Sequence, residues 1–403
     1  MKKNKIVVQI NSECGRGSTG KIAVSISKLL SQEGFENYIF YSGNHKSSYP
    51  LGIQINSKLN LRIHQFLARF CGDQGWHSYF ATKKLIRKLK QIHPDVIHLH
   101  NIHGYYLNMP VLFDYLSTYQ CEVVWTLHDC WPMTGHCTHF TISGCNKWKT
   151  GCYNCPNKKK YPYSWFFDRS SALYQKKKRY FTAIKKLTIV TPSVWLENIV
   201  KESFLKYYPV KVIRNGIDLT VFKPVQSNFR KKNHCESKFI ILGIASVWSY
   251  AKGLDIFCQL AEKLAEKYQI VLVGTTAEVD KILPPNIISI HRTQNQEELA
   301  MLYSTADVFL NPTREDNYPT VNLEALACGT PVLTFNTGGS PECVKNKAEW
   351  VIQSNDIGEI ITKLDVLSRK PKGAIRISEN RSEYDENLCY RRYIKLYESL
   401  LEN

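Results

Sequence analysis

The sequence alternates short apolar runs rich in β-branched residues with amphipathic segments of helix length, in two consecutive series. In the first series the strands are predicted at 5–10, 37–41, 96–99, 123–127 and 188–190. In the second they are predicted at 239–244, 270–273, 308–310 and 332–335. Strands that alternate with helices form parallel sheets covered by helices on both faces. The pattern predicts an α/β protein with two doubly wound, Rossmann-like parallel-sheet domains.

A polar, basic segment at 226–234 separates the two series. We expect an N-terminal domain at 1–213, with a cysteine-rich insert at 130–156, and a C-terminal domain at 214–385. No apolar run reaches the roughly 18 residues of a membrane-spanning helix, and the apolar stretch after the basic start is too short for a signal peptide. These features predict a cytoplasmic protein with reduced cysteines.

The positive charge is unevenly distributed. The 403 residues include 53 Lys and Arg against 35 Asp and Glu, a formal net charge of +18, and all of the excess lies before residue 226. It is densest between Lys147 and Lys186, where Asp168 is the single acid. This asymmetry indicates an anionic partner for the first half, which could be nucleic acid, an acidic membrane surface or a phosphorylated substrate, or else a solvated basic face. The mixture of Leu, Tyr and Phe with basic residues at 170–187 is typical of an interfacial helix.

A glycine-rich segment, residues 15–21, follows the first predicted strand and opens a helix. It fits the dinucleotide fingerprint G-x-G-x-x-G and most of the phosphate-binding loop G-x-x-x-x-G-K. Ile22 stands where the phosphate-binding loop requires Ser or Thr, and the second predicted strand does not end in the acid that a dehydrogenase needs. Gly17, Thr19 and Gly20 are therefore predicted either to bind a ligand phosphate at a helix N-terminus or to form a structural turn.

Two acids in the second half, Asp316 and Glu324, lie eight positions apart around a turn that enters a helix. Carboxylates in this arrangement accept hydrogen bonds from sugar hydroxyls, and the free amides at the helix start can receive phosphate oxygens. The alternative is a helix cap with one additional surface acid.

Histidines cluster at two predicted strand ends, where sites of α/β proteins gather. His98, His100 and His103 lie in VIHLHNIHG, and His128 lies in WTLHD. Alternation along a strand places His98 and His100 on one face and His103 in the following loop. These histidines are expected to pack in the core or to contact substrate, and a metal site is the less favoured alternative.

The cysteine-rich insert contains Cys137, Cys145, Cys152 and Cys155 at spacings that suit a small structural zinc site. Buried free thiols and a disulfide are the alternatives, with His136 and His139 as further candidate ligands. Zinc in a basic domain also defines a rival function, a zinc-containing nucleic-acid-binding protein.

Motifs spread over nearly the whole chain resemble glycosyltransferase family 4, a retaining family with the GT-B fold. Asp316 and Glu324 match its acid–seven residues–glutamate hallmark, followed by Gly-Thr-Pro-Val. Further matches are Asn215–Asp218 with Phe222 and Pro224, Thr191–Ser193, Lys252-Gly253 and the segment 336–342. Ser246 departs from the pattern, because many members carry an arginine there, and Arg292 is a candidate replacement.

The resemblance implies two domains facing a cleft, with a helix at 386–403 crossing back to the first. It also implies transfer of a sugar from a UDP- or GDP-sugar to a hydroxyl with retained configuration and without a catalytic metal. The residues that it implies for the site are Lys252 and the amides near Val321 at the pyrophosphate, Glu324 at the ribose, and Asp316, Asn317 and His128 near the transferred sugar.

The same resemblance implies a role in surface polysaccharide assembly, such as lipopolysaccharide or exopolysaccharide. A lipid-linked oligosaccharide acceptor would explain the basic first half. We therefore expect peripheral binding to the inner face of the cytoplasmic membrane and no nucleic-acid partner. The rival functions are the nucleic-acid-binding protein and an NAD-dependent Rossmann oxidoreductase.

Overall fold

In the computed structural model the chain divides into two units, Met1–Arg214 with Cys389–Asn403, and Asn215–Leu388. The structure describes residues 5–345, 347–353, 355–370 and 381–402. Each unit is built around its own parallel sheet. The prediction of an α/β protein with two doubly wound parallel sheets is confirmed.

The first unit contains a seven-stranded sheet in the order β3-β2-β1-β4-β5-β6-β7. Its strands are β1 Ile6–Asn11, β2 Glu36–Tyr41, β3 Gly52–Gln54, β4 Val96–Leu99, β5 Glu122–Thr126, β6 Leu187–Thr191 and β7 Val210–Val212. Its helices are α1 Gly17–Gln32, α2 Lys58–Cys71, α3 Tyr79–Ile92, α4 Met109–Thr118, α5 Ser170–Phe181 and α6 Val194–Glu202.

The strand order reverses between β1 and β4, whose register pairs Gln9 with His98. All six residues of β1 and all four of β4 are buried, as expected for central strands covered on both faces. Helix α1 packs Ile22, Ile26 and Leu29 into the core beneath the sheet. The sequence folds this way because continuous apolar runs suit strands that face helices on both sides.

The second unit contains a six-stranded sheet in the order β10-β9-β8-β11-β12-β13. Its strands are β8 Phe239–Ile244, β9 Tyr268–Val273, β10 Ile287–Ile290, β11 Val308–Asn311, β12 Val332–Phe335 and β13 Val351–Ile352. Its helices are α7 Phe229–Lys232, α8 Leu254–Lys263, α9 Ala277–Asp280, α10 Gln296–Thr305, α11 Thr320–Ala327, α12 Ser340–Cys343 and α13 Ile357–Ser368. Here the strand order reverses between β8 and β11.

The last helix, α14 Glu386–Glu402, contributes its residues from Cys389 onward to the first unit. Tyr393 and Tyr397 are fully buried there. The Tyr393 hydroxyl lies 3.0 Å from Thr126 Oγ1, and the Tyr397 hydroxyl lies 2.7 Å from His98 Nδ1. Both contacts join α14 to strands β4 and β5.

The prediction of an interfacial helix at 170–187 is wrong. Helix α5 ends at Phe181, and its apolar residues Leu173, Tyr174 and Phe181 are buried in the first unit. Lys177 is buried with them, because its ammonium donates to the Trp131 carbonyl at 2.8 Å and lies 3.3 Å from the centre of the Trp131 ring. Within the described ranges, none of the helices is both long enough and apolar enough to span a bilayer.

Candidate active site

The loops that leave β8 and β11 meet at the carboxyl edge of the second sheet. These strands are neighbours at the point where the strand order reverses. The helices that follow the two loops, α8 and α11, pack in different core clusters on opposite faces of the sheet. In open α/β sheets this divergence leaves a crevice in which ligands bind. The loop after β8 carries Lys252, and the loop after β11 carries Asp316.

Lys252 and Asp316 form an ion pair with 2.8 Å between Nζ and Oδ2. Their side chains are 36% and 22% exposed, so solvent and a ligand can reach both. Gly253 follows with φ +74°, and a Cβ atom there would lie 2.5 Å from the Pro312 carbonyl oxygen. The Lys-Gly pair thus lets the two loops approach closely enough for the ion pair to form.

Glu324 lies on α11 and accepts a hydrogen bond from the Tyr303 hydroxyl at 2.9 Å. Tyr303 is fully buried, and burial together with the adjacent carboxylate holds its pKa well above the ordinary value. The phenol therefore stays protonated and fixes the carboxylate orientation. A carboxylate is an acceptor of hydrogen bonds, and one held in this way can accept them from sugar hydroxyls.

Helix α11 begins directly after Pro319, and Val321 lies in its first turn. The N-cap residue Pro319 makes no side-chain hydrogen bond to the helix amides, and the first N–H groups of a helix are the ones that can donate to an anion. Asn317 is buried just before the helix. The structure thus places Lys252, Asp316, Asn317, Val321 and Glu324 on the loops and helix at one edge of the second sheet.

Arg314 is a positioning residue that the sequence did not single out. It is 7% exposed and makes a bidentate pair with Asp255, both contacts being 2.8 Å. Its guanidinium lies 3.9 Å from the centre of the Tyr250 ring and donates to the Tyr250 carbonyl. These contacts tie the loop after β11 to the turn that carries Lys252. Arg292, by contrast, is exposed after the edge strand β10.

The glycine-rich segment forms the start of α1 at the carboxyl end of β1. Gly15 and Gly17 have φ of +76° and +61°, and the Gly15 amide donates to the Gly20 carbonyl at 3.0 Å. Thr19 and Gly20 lie in the first turn of the helix, with Thr19 Oγ1 3.4 Å from Asn11 Nδ2. Gly17, Thr19 and Gly20 thus lie at the helix N-terminus, and their ligand role stays a prediction.

A chain of hydrogen bonds in the first unit fixes the protonated nitrogen of His128. Gln9 Nε2 donates to the Ala23 carbonyl, so Gln9 Oε1 accepts from His100 Nε2 at 2.9 Å. His100 Nδ1 then accepts from His128 Nε2 at 3.1 Å. Burial lowers the pKa of His128 to about 4 and that of His100 well below its ordinary value. His128 is thus a neutral imidazole with its proton on Nε2 and its Nδ1 an acceptor.

His103 lies beside this chain, in the loop after β4, and contacts a carboxylate. Its Nε2 is 2.6 Å from Asp129 Oδ2, and its Nδ1 is 3.2 Å from the Tyr161 hydroxyl. Burial alone would raise the pKa of Asp129, but the neighbouring His103 lowers it overall. The carboxyl edge of the first sheet therefore combines a neutral acceptor at His128 with a fixed carboxylate at Asp129.

The buried histidines predict that the protein loses stability in mild acid. Burial depresses the pKa of His98 and His100 strongly, that of His64 to about 3 and that of His136 to about 4. Below the ordinary histidine pKa near 6.5 the unfolded chain binds more protons than the folded chain. The free energy of unfolding should then fall by up to about 1.4 kcal/mol per pH unit for each such histidine.

Thermal unfolding between pH 7.5 and pH 5 measures this effect. His98→Gln should lower the melting temperature at pH 7.5 but flatten its dependence on pH, because one buried titrating group is removed. His234→Asn, at an exposed position of the second unit, should leave the dependence unchanged. Equal pH dependence in wild type and His98→Gln would contradict the assignment.

The four cysteines predicted to bind zinc line one small cavity together with Phe140 and Trp148. A hydrogen bond from Cys155 lowers the pKa of Cys137 to about 7, and the Gly135 amide donates to Cys152 Sγ at 3.2 Å. Within the described ranges, no three histidine, cysteine or acidic side chains are grouped so that they could hold a metal ion. The zinc site formed by Cys137, Cys145, Cys152 and Cys155 stays a prediction.

Comparison with solved structures identifies the fold. The structure of HepE from Anabaena in complex with UDP and glucose superimposes with a TM-score of 0.68 at 13% sequence identity, over 98% of this chain and all of that one. Two parallel-sheet α/β units with this similarity over the whole chain show the GT-B fold.

Two protein-family models match the chain and identify its family. The model described as "Glycosyltransferase Family 4" matches residues 19–221, and the model described as "Glycosyl transferases group 1" matches residues 238–370. The chain belongs to glycosyltransferase family 4.

Two relatives are similar in sequence. The putative colanic acid biosynthesis glycosyl transferase WcaC of Escherichia coli is 23% identical over an alignment of 420 positions, which covers 98% of this chain and all of that protein. The N,N'-diacetylbacillosaminyl-diphospho-undecaprenol alpha-1,3-N-acetylgalactosaminyltransferase of Campylobacter jejuni is 27% identical over an alignment of 216 positions, which covers 49% of this chain and 57% of that protein. The comparisons support neither the nucleic-acid-binding nor the oxidoreductase alternative.

Proposed function

We propose that this glycosyltransferase moves a sugar from a nucleotide-sugar donor to a hydroxyl of a lipid-linked oligosaccharide, with retained anomeric configuration, during assembly of a surface polysaccharide. The observation that carries the proposal is the Lys252–Asp316 ion pair on the loops that leave two neighbouring strands. Glu324, oriented by Tyr303, lies on the helix that follows the second of these loops. A cation, two carboxylates and a helix N-terminus match the chemistry of a sugar diphosphate.

Charge stabilisation is the first task of this site. As the bond between sugar and diphosphate breaks, negative charge grows on the diphosphate. The Lys252 ammonium and the first amides of α11 are fixed donors for that charge, and donors fixed before the reaction need no reorganisation. Lys252 is therefore assigned to catalysis as well as to donor binding.

The carboxylates of Glu324 and Asp316 are assigned to orienting the donor. Glu324, held by Tyr303, is assigned to the ribose hydroxyls. Asp316, held by Lys252, is assigned with Asn317 to the hydroxyls of the transferred sugar. Both carboxylates are half-buried, where a hydrogen bond to a charged acceptor is stronger than in water.

On the first unit, we assign His128 to the catalytic machinery and the glycine-rich loop to substrate binding. A neutral imidazole with an accepting Nδ1 orients a sugar hydroxyl without adding a positive charge. Gly17, Thr19 and Gly20 present backbone at a helix N-terminus, which suits a phosphate-bearing ligand.

The acceptor and the cellular setting are inferred from the relatives and from charge. One relative is named for a diphospho-undecaprenol substrate and another for colanic acid biosynthesis. The basic first half of the chain suits a phosphorylated lipid in an anionic membrane. We therefore assign the enzyme to the cytoplasmic side of the membrane as a peripheral protein.

A thermal-shift screen with UDP-, GDP- and ADP-sugars tests donor binding. One nucleotide series should raise the melting temperature, because a ligand that binds only the folded state stabilises it. Donor at 100 times its dissociation constant should add about 2.7 kcal/mol to the free energy of unfolding. Glu324→Ala should abolish that shift.

Glu278→Ala is the matched control, since Glu278 is an exposed acid of the same unit, and it should shift like wild type. Wild-type protein that none of the three nucleotide series stabilises would refute donor binding. Analysis of the product's anomeric configuration by NMR then tests retention.

A further inference from the structure

Helix α2 is packed on one face and exposes apolar residues on the other. The buried face consists of Leu61, His64 and Ala68. Along the opposite face Leu59, Ile63, Phe66 and Phe70 follow at spacings of four, three and four residues, which places them within one narrow stripe. Phe66 and Phe70 are 55% and 47% exposed. Helices of globular domains normally turn such a stripe toward the core.

A second exposed aromatic segment extends this stripe. Residues 165–167 precede α5, and Trp165, Phe166 and Phe167 are each about half exposed. Trp165 contacts Phe66 with 5.7 Å between ring centres, and Phe166 contacts Phe70 at 5.6 Å. We call the contiguous patch the aromatic surface and define it as Ile63, Phe66, Phe70, Trp165, Phe166 and Phe167.

The aromatic surface is held in shape by backbone contacts. The Trp165 amide donates to the Arg69 carbonyl at 2.8 Å. Gly72 ends α2 with φ +71°, and a Cβ atom there would lie 2.8 Å from the Phe167 carbonyl oxygen. The loop therefore rests directly on the end of the helix.

Cations outnumber acids around the aromatic surface, and the two acids that directly follow its segments, Asp73 and Asp168, already have partners in His77 and in the Cys155 and Ser170 amides. Neither 58–72 nor 157–167 contains Asp or Glu, whereas the two segments together contain six Lys or Arg residues. Arg69 lies 5.6 Å from the centre of the Tyr163 ring, and Arg169 lies 5.7 Å from that of Phe167. Exposed Trp and Phe among basic side chains are the composition of surfaces that enter the headgroup region of anionic bilayers.

We infer that the aromatic surface docks the first unit onto an anionic lipid bilayer, with its rings inserted at the level of the headgroups. The inference rests on the proposed lipid-linked acceptor and names the surface that reaches it. A second copy of the chain fits this patch poorly, because a symmetric contact would bring the same cations together.

The aromatic surface also continues to the carboxyl edge of the first sheet. Tyr161, at the start of the same loop, accepts from Gln74 Nε2 at 3.1 Å and contacts His103 Nδ1 at 3.2 Å. A bilayer bound at the aromatic surface would therefore be linked through one short loop to the histidines after β4. A lipid diphosphate bound there would keep its chain in the membrane.

Flotation of the full chain with vesicles tests the inference. Wild-type protein should float with vesicles of 70% phosphatidylcholine and 30% phosphatidylglycerol, and at least tenfold less with phosphatidylcholine alone. The double variant Phe66→Ser, Phe166→Ser should lower the partition coefficient on the anionic vesicles at least tenfold. Both side chains are exposed, so its melting temperature should stay within about 2 °C of wild type.

Tyr207→Ser is the matched control, because Tyr207 is an 85% exposed aromatic residue of the same unit, and it should bind vesicles within twofold of wild type. Failure of wild type to float, or equal flotation of the double variant, would overturn the docking surface. So would a wild-type dimer in sedimentation that the double variant loses while vesicle binding stays unchanged. The donor thermal shift is measured on the same samples; a normal shift without flotation refutes docking and leaves the transferase intact.

Discussion

Replacing Lys252 by methionine is expected to lower the rate of donor cleavage by at least about 100-fold. The substitution keeps an unbranched side chain, one heavy atom shorter, and removes the ammonium that lies 2.8 Å from Asp316 Oδ2. Two effects add: charge on the departing diphosphate is no longer neutralised, and the half-buried Asp316 carboxylate loses its partner. The rate is measured as release of nucleoside diphosphate from the nucleotide-sugar that raises the melting temperature in the thermal-shift screen. With water in place of the acceptor, the lipid-linked substrate is not required.

Lys281→Met provides the control for Lys252→Met. Lys281 also pairs with an acid at 2.8 Å, but it is 67% exposed and its partner Glu278 is 81% exposed. Exposed ion pairs contribute little to stability, so both stability and turnover should match wild type. Turnover of Lys252→Met at the wild-type rate would show that the diphosphate is bound elsewhere.

Replacing Arg314 by alanine is expected to destabilise the second unit by about 3 kcal/mol, the lower end for a broken buried ion pair. Arg314 is 7% exposed, while Asp255 is 34% exposed and so remains partly solvated in the variant. The variant also loses the hydrogen bond to Asn355 Oδ1 at 2.7 Å and the stacking on Tyr250. Hydrogen exchange of β8 and β11 amides under increasing urea measures this loss in the second unit alone.

Arg391→Ala is the matched arginine control. Arg391 makes one 2.8 Å contact with Glu33 and is 52% exposed, so the loss should stay below about 1 kcal/mol. Arg314→Lys should recover only part of the stability, because a lysine cannot make the bidentate contact. Wild-type protection in β8 and β11 of the Arg314→Ala variant would contradict the structural role of this side chain.

The central strands of both sheets were predictable, but the edge strands were not. Buried strands such as β1 and β8 are continuous apolar runs, which the sequence displays directly. Strand β3 spans Gly52–Gln54 and is only partly buried, and β13 spans two residues. A strand of two or three residues is too short to show a periodic pattern in the sequence. It forms because its backbone pairs with a longer neighbouring strand.

The two amphipathic helices of the first unit show the limit of composition as a guide. The segment at 170–187 has the composition of an interfacial helix, yet α5 is buried along its apolar side and even along Lys177. Helix α2 has apolar residues on two opposite faces, and its sequence does not reveal which of them packs. That choice depends on neighbours distant in sequence.

The candidate donor site was predictable because ligands of parallel sheets bind at the carboxyl ends of the strands, and the residues directly after a strand can be identified from the sequence. Lys252 and Asp316 each follow a strand at the point where the order reverses, and the family resemblance names the same residues. Arg314 was missed although it lies two positions before Asp316. Its partner Asp255 is 59 residues away in sequence, and a single arginine beside a motif does not reveal such a contact.

Because the last helix belongs to the first unit, that unit can complete its fold only after the whole chain has been synthesised. Domains generally fold as units while the chain emerges from the ribosome, N-terminal first. Here the first unit lacks Tyr393 and Tyr397 until the second unit, residues 215–388, has been made. Until then His98 lacks the Tyr397 hydroxyl that contacts its Nδ1. The unit that begins first is therefore finished last. A chain that stops directly after residue 388 contains all residues of the second unit but lacks Tyr393 and Tyr397 from the core of the first.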